Sequence, residues 1–409
     1  MKICMITPFP SNDKFETVRM GNRYSINLVD ALIENRDKGF SITIFANMLD
    51  HEKQLEYKCV KIKRLWHQGR INPFKLFKEI VKIKPDVVHI QYVLGAKYGK
   101  GPYLLNPFLF MLFLRIARCQ LLITIHDIIP LNKLYCTFKE MFKNHPVSSF
   151  LYSVSYRLAT TFMCKVASKI IILDQGTKKW AIEQYGYSKN KITIIPHGML
   201  KEAEYITAKQ AKKALGINEK WNVLLFFGKI HPRKGIEYTI KALPYVLKKH
   251  PNTLLLIAGS YSNTWKKESK SYVYLLKQMT KSLGIENRTL FEIKFFGKEI
   301  PMIFGAADIV LLPYAVPYGA SGVIKLAATY RKLVITPNSK SREGEITDRI
   351  SGILLPFLDE KILAQKINKL LENKLLSRNM GDKFYEENLK SSEWKKVAKE
   401  TLECYKTAK

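Results

Sequence analysis

Two stretches of this 409-residue sequence place glycine beside cationic or hydroxyl residues in the spacing that holds an anion. In the first, Gly228-Lys229-Ile230-His231-Pro232-Arg233-Lys234-Gly235 follows the apolar run Val223–Phe227 and precedes a helical pattern. A glycine lets another group approach the backbone, and a helix N-terminus presents unbonded N–H groups. Lys229, Arg233 and Lys234 add charge to that cradle. The spacing GxxxxGK[ST] of a Walker A loop is absent, as is GxGxxG. In the second stretch, Ser321-Gly322-Val323 opens another helical pattern after Ile309–Leu312. Ser321 there suits either an anion cradle or ordinary N-capping, since both use one geometry. A third candidate is His126, which with Asp127 ends the run Leu121–Ile125. Gly21, ahead of the helical pattern at Tyr24, marks a further close backbone approach. His89, inside Val87–Ile90, reads as a core histidine. No Ser/His/Asp order and no metal-ligand cluster stands out, so no metal site is expected.

These residues need elements that bring them together. The apolar signal is a series of short unbroken runs. They are Ile3–Ile6, Ile42–Ala46, Val87–Ile90, Leu121–Ile125, Ile170–Leu173 and Ile192–Ile195 in the first half. In the second they are Val223–Phe227, Leu254–Ala258, Ile293–Phe296, Ile309–Leu312, Leu333–Ile335 and Ile353–Leu355. Continuous runs suit strands covered on both faces, as in parallel sheets. Helical stripes lie between them, such as Ile236, Ile240, Leu243 and Leu247. Alternation of strand and helix predicts βαβ units, and six strands per half predict an α/β chain of two doubly wound Rossmann-like domains facing a cleft. Ligands of such sheets sit beyond the carboxyl ends of the strands, where all the candidates above fall. The domain boundary is expected near Pro196-His197-Gly198, giving 1–197 and 198–385 as domains and 386–409 as a closing helix.

Composition narrows the function classes. Hydrophobic residues make up 47%, enough for packed cores. Six scattered cysteines exclude a disulfide scaffold. The longest apolar stretch, Phe108 to Ile116, is short of the roughly 20 residues of a membrane span. The expected location is therefore cytoplasmic, with any membrane contact at the inner surface. The formal charge is +32, which favours anionic partners. Nucleic acid is not expected, because no recognition motif accompanies the charge. Residues 53–84 are the densest basic stretch. Pro73 suits the start of a helix there, whose Phe74, Phe77 and Val81 are expected to pack inward while Lys75, Lys78 and Lys82 face an anionic membrane.

The motifs in order resemble the retaining, GT-B-fold glycosyltransferases of the group 1, or family 4, class. Pro85-Asp86-Val87-Val88-His89-Ile90 is similar to the family's "pDvvHih" strand, and Ile123-Thr124-Ile125-His126-Asp127 to its "tvHD". Ile192-Thr193-Ile194-Ile195-Pro196-His197-Gly198 is similar to "i.vIpnG", and Gly228 through Gly235 with Ala242 to "GrL...KG...li.A". Ala307-Asp308-Ile309-Val310-Leu311-Leu312-Pro313 is similar to "aaDvfvlPs", and Ser391-Ser392-Glu393-Trp394 with Tyr405 to the closing "fsW......Y" helix. The resemblance implies that the second domain binds a nucleoside-diphosphate sugar as donor, with no further cofactor and no metal. The first domain would shape the site of a glycan or lipid-linked acceptor. Lys229 and Lys234 match the pair on the donor diphosphate, and His126 the histidine beside the reacting sugar. The base would be selected by backbone near Gly297 and Lys298. The setting implied is cell-envelope polysaccharide or glycolipid assembly. One departure is evident: Gly322 to Ala327 holds no glutamate, where the family places one, and Glu343 and Glu345 lie downstream. That departure also fits a catalytically weak partner that assists another transferase.

Overall fold

The computed structural model describes residues 1–10, 20–49, 54–67, 70–92, 106–141, 145–261, 266–294, 297, 299–315 and 319–408. The first domain runs β1 (Lys2–Ile6), α1 (Met20–Glu34), β2 (Ser41–Asn47), β3 (Gln54–Tyr57), β4 (Val60–Trp66), α2 (Pro73–Ile83) and β5 (Val87–Tyr92). It continues with α3 (Asn106–Ile116), β6 (Gln120–Ile125), α4 (Leu131–Met141), α5 (Pro146–Val166), β7 (Lys169–Ile172), α6 (Gln175–Tyr185) and β8 (Ile192–Ile194). Its sheet has the order β3-β4-β2-β1-β5-β6-β7-β8, parallel except where β3 meets β4.

The second domain runs α7 (Ala208–Ala214), β9 (Asn222–Ile230), α8 (Ile236–Leu247), β10 (Thr253–Tyr261), α9 (Lys266–Ser282), β11 (Thr289–Ile293), α10 (Ile300–Ala306) and β12 (Ile309–Leu311). It closes with α11 (Gly322–Thr329), β13 (Val334–Pro337), β14 (Ile353–Leu355), α12 (Glu360–Glu372) and α13 (Lys374–Ser392), and the chain ends its described elements with α14 (Trp394–Thr407). This sheet is ordered β11-β10-β9-β12-β13-β14 and is parallel throughout. The two parallel sheets bear out the doubly wound α/β reading.

The differences from the sequence reading have physical causes. The first sheet has eight strands rather than six. β4 reads Val-Lys-Ile-Lys-Arg-Leu-Trp, with alternate residues buried, so it gives no continuous apolar run. Its place near the sheet edge, with β3 antiparallel outside it, allows that alternation. β11 ends at Ile293, so the run Ile293–Phe296 overlaps the strand only at its last residue; residues 295–296 lie outside the described set. α1 begins at Met20, which puts Gly21 inside its first turn rather than ahead of the helix. In α2, Pro73 fills the first turn, as expected, and Asn72 caps the Lys75 amide at 3.0 Å. Its buried residues, however, are Pro73, Leu76 and Ile80. Phe74 and Val81 are exposed, at 69% and 49%. The inward stripe is thus one residue out of phase with the one expected, and Phe74 and Phe77 lie against Phe113 of α3, with ring centroids 5.0 and 5.7 Å apart.

Two crossings join the domains. Met199 and Glu393 bridge them side by side: the Met199 amide donates to Ser392 O at 2.8 Å, and the Trp394 amide to Met199 O at 3.3 Å. Residue 386 lies inside α13, and the chain turns back at Glu393. α14 then packs on α1 and completes a core of the first domain, in which Trp394, Val397, Ala398, Leu402 and Tyr405 join β1, α1 and β2. At the crossing Gly198 is required, because a Cβ there would lie 2.3 Å from the Trp394 ring.

Within this core, Tyr405 Oη and His89 Nδ1 are 2.7 Å apart and both residues are buried. Gln91 Nε2, which can only donate, reaches His89 Nε2 at 3.0 Å. His89 therefore carries its proton on Nδ1 and donates it to Tyr405. Tyr405→Phe should leave that buried donor unpaired and cost about 1–3 kcal/mol of stability. Denaturant unfolding with a far-UV probe checks it; a loss within experimental error would show that α14 is held by packing alone.

Candidate active site

The carboxyl ends of the two sheets face a cavity of about 290 Å³. From the first domain come Tyr24 and Asn27 of α1 and His126, just beyond β6. From the crossing come His197 to Leu200. The second domain contributes Gly228, Lys229, Arg233, Lys234, Tyr314, Arg342 and the start of α11. Of the residues singled out from sequence, His126, Gly228, Lys229, Arg233, Lys234, Ser321, Gly322 and Val323 all line this one cavity. Gly297 does not; its amide donates to Glu299 Oε2 at 3.1 Å. Lys298 lies outside the described residues.

The cationic segment at the carboxyl end of β9, where Gly228 and Lys229 fall inside the strand, is shaped by two glycines. Gly228 has φ +147°, and a Cβ at Gly235, φ +63°, would meet Pro313 O at 2.0 Å. The second contact brings the α8 N-terminus against the loop after β12. Lys234 is half-buried there, with Nζ 3.7 Å from the centre of the Tyr314 ring. Burial, followed by the charges of Arg233, Arg342 and Lys229, pushes its pKa down to about 7. Lys234 is therefore close to losing its proton near neutral pH. Such a cation gains most when an anion arrives.

At α11, Ser321 does not cap the helix with its side chain. Its hydroxyl instead lies 3.3 Å from Tyr314 Oη, leaving the α11 N-terminus at the cavity wall. Gly322 lets His197 close in: a Cβ there would be 3.3 Å from His197 Nε2. His197 Nδ1 donates to Gly198 O at 2.8 Å, and its ring meets Tyr24 and Trp394 edge-on. Burial holds it neutral, with a pKa lowered to about 4.

His126 sits across from the cations. Gln91 Oε1 can only accept, so the bond of 2.9 Å from His126 Nε2 fixes the proton on that nitrogen. The Tyr24 ring packs edge-on at 4.6 Å. His126 is thus oriented through Gln91, His89 and Tyr405, a chain that ends on α14. His89 is the core histidine the sequence suggested, held neutral by burial, and also a link in this chain.

Sequence reasoning did not place three charged residues. Lys325 and Arg342 line the cavity, and Glu345 lies buried behind them. Glu345 pairs with Lys325 at 3.2 Å and with Arg342 at 3.0 Å, and Lys325 also donates to Asn388 Oδ1 at 2.8 Å. The acidic signal was present at Glu345, but nothing local marks that residue as buried. Among the described residues no aspartate or glutamate lines the cavity itself.

Two family models match the chain. Residues 21–199 match glycosyltransferase family 4, and residues 207–387 match glycosyl transferases group 1. An uncharacterized glycosyltransferase of Methanocaldococcus jannaschii is 23% identical over 270 residues, 64% of each chain. A D-inositol 3-phosphate glycosyltransferase of Saccharomonospora viridis is 25% identical over 210 residues, 48% of this chain and 46% of that one. The chain thus spans about half to two thirds of the length of these curated relatives. Among solved structures, sucrose-phosphate synthase from Thermosynechococcus elongatus superposes with a TM-score of 0.73 at 16% identity, covering 99% of this chain and 98% of that one. Anabaena HepE in complex with UDP and glucose gives 0.72 at 18% identity, covering 100% of both. The matched models between them take in both domains, and the fold is that of the solved relatives: the chain belongs to the group 1 glycosyltransferases of the GT-B type.

Proposed function

We propose that this chain is a retaining glycosyltransferase. It moves a hexose from a nucleoside-diphosphate sugar to a glycan or lipid-linked acceptor in cell-envelope polysaccharide or glycolipid assembly. The observation that carries the reading is one cavity lined on one side by Lys229, Arg233 and Lys234 and on the other by His126. Structures of the neighbour Anabaena HepE hold UDP and UDP-glucose, which supports a nucleotide-sugar donor here.

The mechanism follows from the charges. As the glycosidic C–O bond breaks, negative charge grows on the leaving diphosphate, and fixed cations at its oxygens lower the barrier. Lys229 and Lys234 supply that stabilisation, so no divalent ion is needed for it. The acceptor attacks from the face that the diphosphate leaves, and the leaving phosphate takes the acceptor proton. No protein nucleophile takes part. His126, oriented by Gln91, holds a hydroxyl of the transferred sugar. A second reading, a GT-B-fold partner that assists another transferase, draws on the lack of a carboxylate among the described lining residues. Donor hydrolysis measured with and without added acceptor separates the two, since a partner protein turns over in neither case.

The membrane side of this proposal rests on α2. Its outward face carries exposed Phe74 among Lys75, Lys78 and Lys82, and Ile116 of α3 and Phe150 and Leu158 of α5 are also exposed apolar residues. No described helix is long and apolar enough to cross a membrane. Attraction of about 1 kcal/mol per basic residue near an acidic bilayer would hold such a face against lipid.

Four outcomes are expected. Lys234→Ala should weaken nucleotide-sugar binding by about 1.5–3 kcal/mol. In the unaltered protein, a bound diphosphate raises the Lys234 pKa from about 7, so binding takes up a proton above that pH. Affinity for UDP-glucose or GDP-mannose, measured by calorimetry in EDTA, should be flat below pH 7 and fall by up to about tenfold per unit above it. A flat profile from pH 6 to 9 would remove Lys234 from the diphosphate site. His126→Ala should lower transfer at least tenfold while nucleotide affinity stays within about twofold; unchanged transfer would make the residue structural. Replacing Lys75, Lys78 and Lys82 by Gln should release the protein from anionic vesicles without changing its melting temperature. Equal binding of the parent protein to neutral and anionic vesicles would remove the membrane claim.

A further inference from the structure

Helix α5 is built inside out over its first turns. Its inward side there is Ser149, Ser153 and Tyr156, all buried, while Val147, Phe150, Leu151, Val154 and Leu158 stand 40% to 64% exposed. The spacing i, i+3, i+4, i+7 and i+11 puts those five on one face. The buried hydroxyls are met within the helix: Ser149 Oγ donates to His145 O and Ser153 Oγ to Ser149 O, each at 2.6 Å. A surface helix normally turns its apolar stripe toward the core. A run of large apolar side chains along an outer face marks contact with something other than water.

The neighbouring helix repeats the pattern. α3 lies against α5 through Phe108 and Phe162, whose ring centroids are 6.0 Å apart. It exposes Leu109, Leu112 and Ile116 at i, i+3 and i+7. The charges of the two helices are Arg115, Arg157 and Lys165, and neither helix contains an aspartate or glutamate. A second copy of the chain would bring two such basic faces together with no carboxylate on these helices to pair them. An anionic bilayer suits both components, taking apolar side chains among its acyl chains and basic ones at its phosphates. From Val147 to Leu158 the stripe is about 16 Å long, a length that lies along the membrane interface.

The stripe is placed beside the cleft. The Ser168 amide donates to Leu121 O at 2.8 Å, so the end of α5 is level with the start of β6. The 21 residues of α5 span about 31 Å and the 6 of β6 about 20 Å. The Ile129 amide, just past the end of β6, donates to Tyr156 Oη at 3.1 Å. Residues 146–155 therefore overhang the carboxyl end of the sheet, the end that carries His126 and the cavity.

We propose that the outer face of α5 inserts its apolar side chains into the interfacial layer of an anionic bilayer, so that the cleft opens at the lipid surface. This deepens the membrane side of the function proposed above. The lysines of α2 supply attraction, α5 supplies the anchor, and the His126 side of the cleft is presented to an acceptor carried by lipid. That last point rests on the transferase reading; the docking itself does not.

Brominated phosphatidylglycerol quenches tryptophan from within the acyl layer and reads the insertion on the full chain. Phe150→Trp should add emission that vesicles of this lipid quench. Tyr274→Trp, at an exposed position of α9 in the second domain, should add emission that they do not. Replacing Phe150, Leu151 and Leu158 together by Ser keeps the charge. It should weaken partitioning onto unbrominated phosphatidylglycerol vesicles at least tenfold, with melting temperature and UDP or GDP affinity unchanged. Partitioning of the Ser variant equal to the parent's overturns the proposal, because the contact is then charge alone. Equal quenching at positions 150 and 274 overturns it as well. So does a parent dimer in lipid-free buffer that the Ser variant dissociates, since a second copy then covers the face. Nucleotide affinity scores the other reading separately. Insertion without UDP or GDP binding keeps the anchor and defeats the transferase, and nucleotide binding without insertion does the reverse.

Discussion

The arrangement of the cleft depends on positive charges kept close together out of bulk water. Burying a cation costs several kcal/mol unless something of opposite charge meets it. Among the described residues, part of that demand is met by carboxylate and amide side chains. Glu345 holds Lys325 and Arg342 in place from behind, and Asn388 takes a further Lys325 proton. Among the described residues Lys234 makes no ion pair, and its Nζ lies over the Tyr314 ring. An attraction of that kind is worth about 0.5–2 kcal/mol, too little to offset desolvation and three neighbouring cations, and its proton is accordingly loosened. An anion entering the cleft would complete the site electrostatically.

Glycines set the distances that make this possible. Gly235 brings the α8 N-terminus against the loop after β12, and Gly322 brings α11 against His197. Gly319 belongs to the second domain, yet a Cβ on it would meet His126 O at 2.7 Å. A similar contact occurs where Gly176, in the first turn of α6, lies against the Ser341 backbone, one residue from Arg342. The two domains thus meet backbone to backbone around the cavity. Side chains are left free to point inward, and a methyl group at any of these positions would alter the spacing between cations and His126.

Much of the fold was legible because parallel strands buried on both faces read as unbroken apolar runs. Such a run marks each strand from β5 to β10 and from β12 to β14. The signal failed where its physical basis changes. β4 is covered on one face only and alternates Lys with apolar residues, so it looked like part of a basic surface. In α2 the bulky Phe74 suggested the inward face, but Leu76 and Ile80 fit under the helix and Phe74 stays outside. At the site, residues just after strands could be named because α/β topology puts them there. Arg342, Lys325 and Glu345 could not, since whether a charge is buried depends on partners 3, 20 or 63 positions away, and no local pattern encodes that pairing.

The position of α14 has a consequence for how the molecule comes into being. A core of the first domain is closed by Trp394, Val397, Leu402 and Tyr405, packed on β1, α1 and β2. A ribosome adds about 5–20 residues per second. The first domain therefore emerges on the order of tens of seconds before the helix that covers it. During that interval its uncovered face is apolar surface in water, the condition under which nascent chains collect chaperones or one another. His126 is oriented by a hydrogen-bonded chain that ends on the same helix. The orientation of His126 is thus set only after translation has passed Tyr405, and a prematurely terminated chain would carry the cations of the cleft without a properly held histidine opposite them.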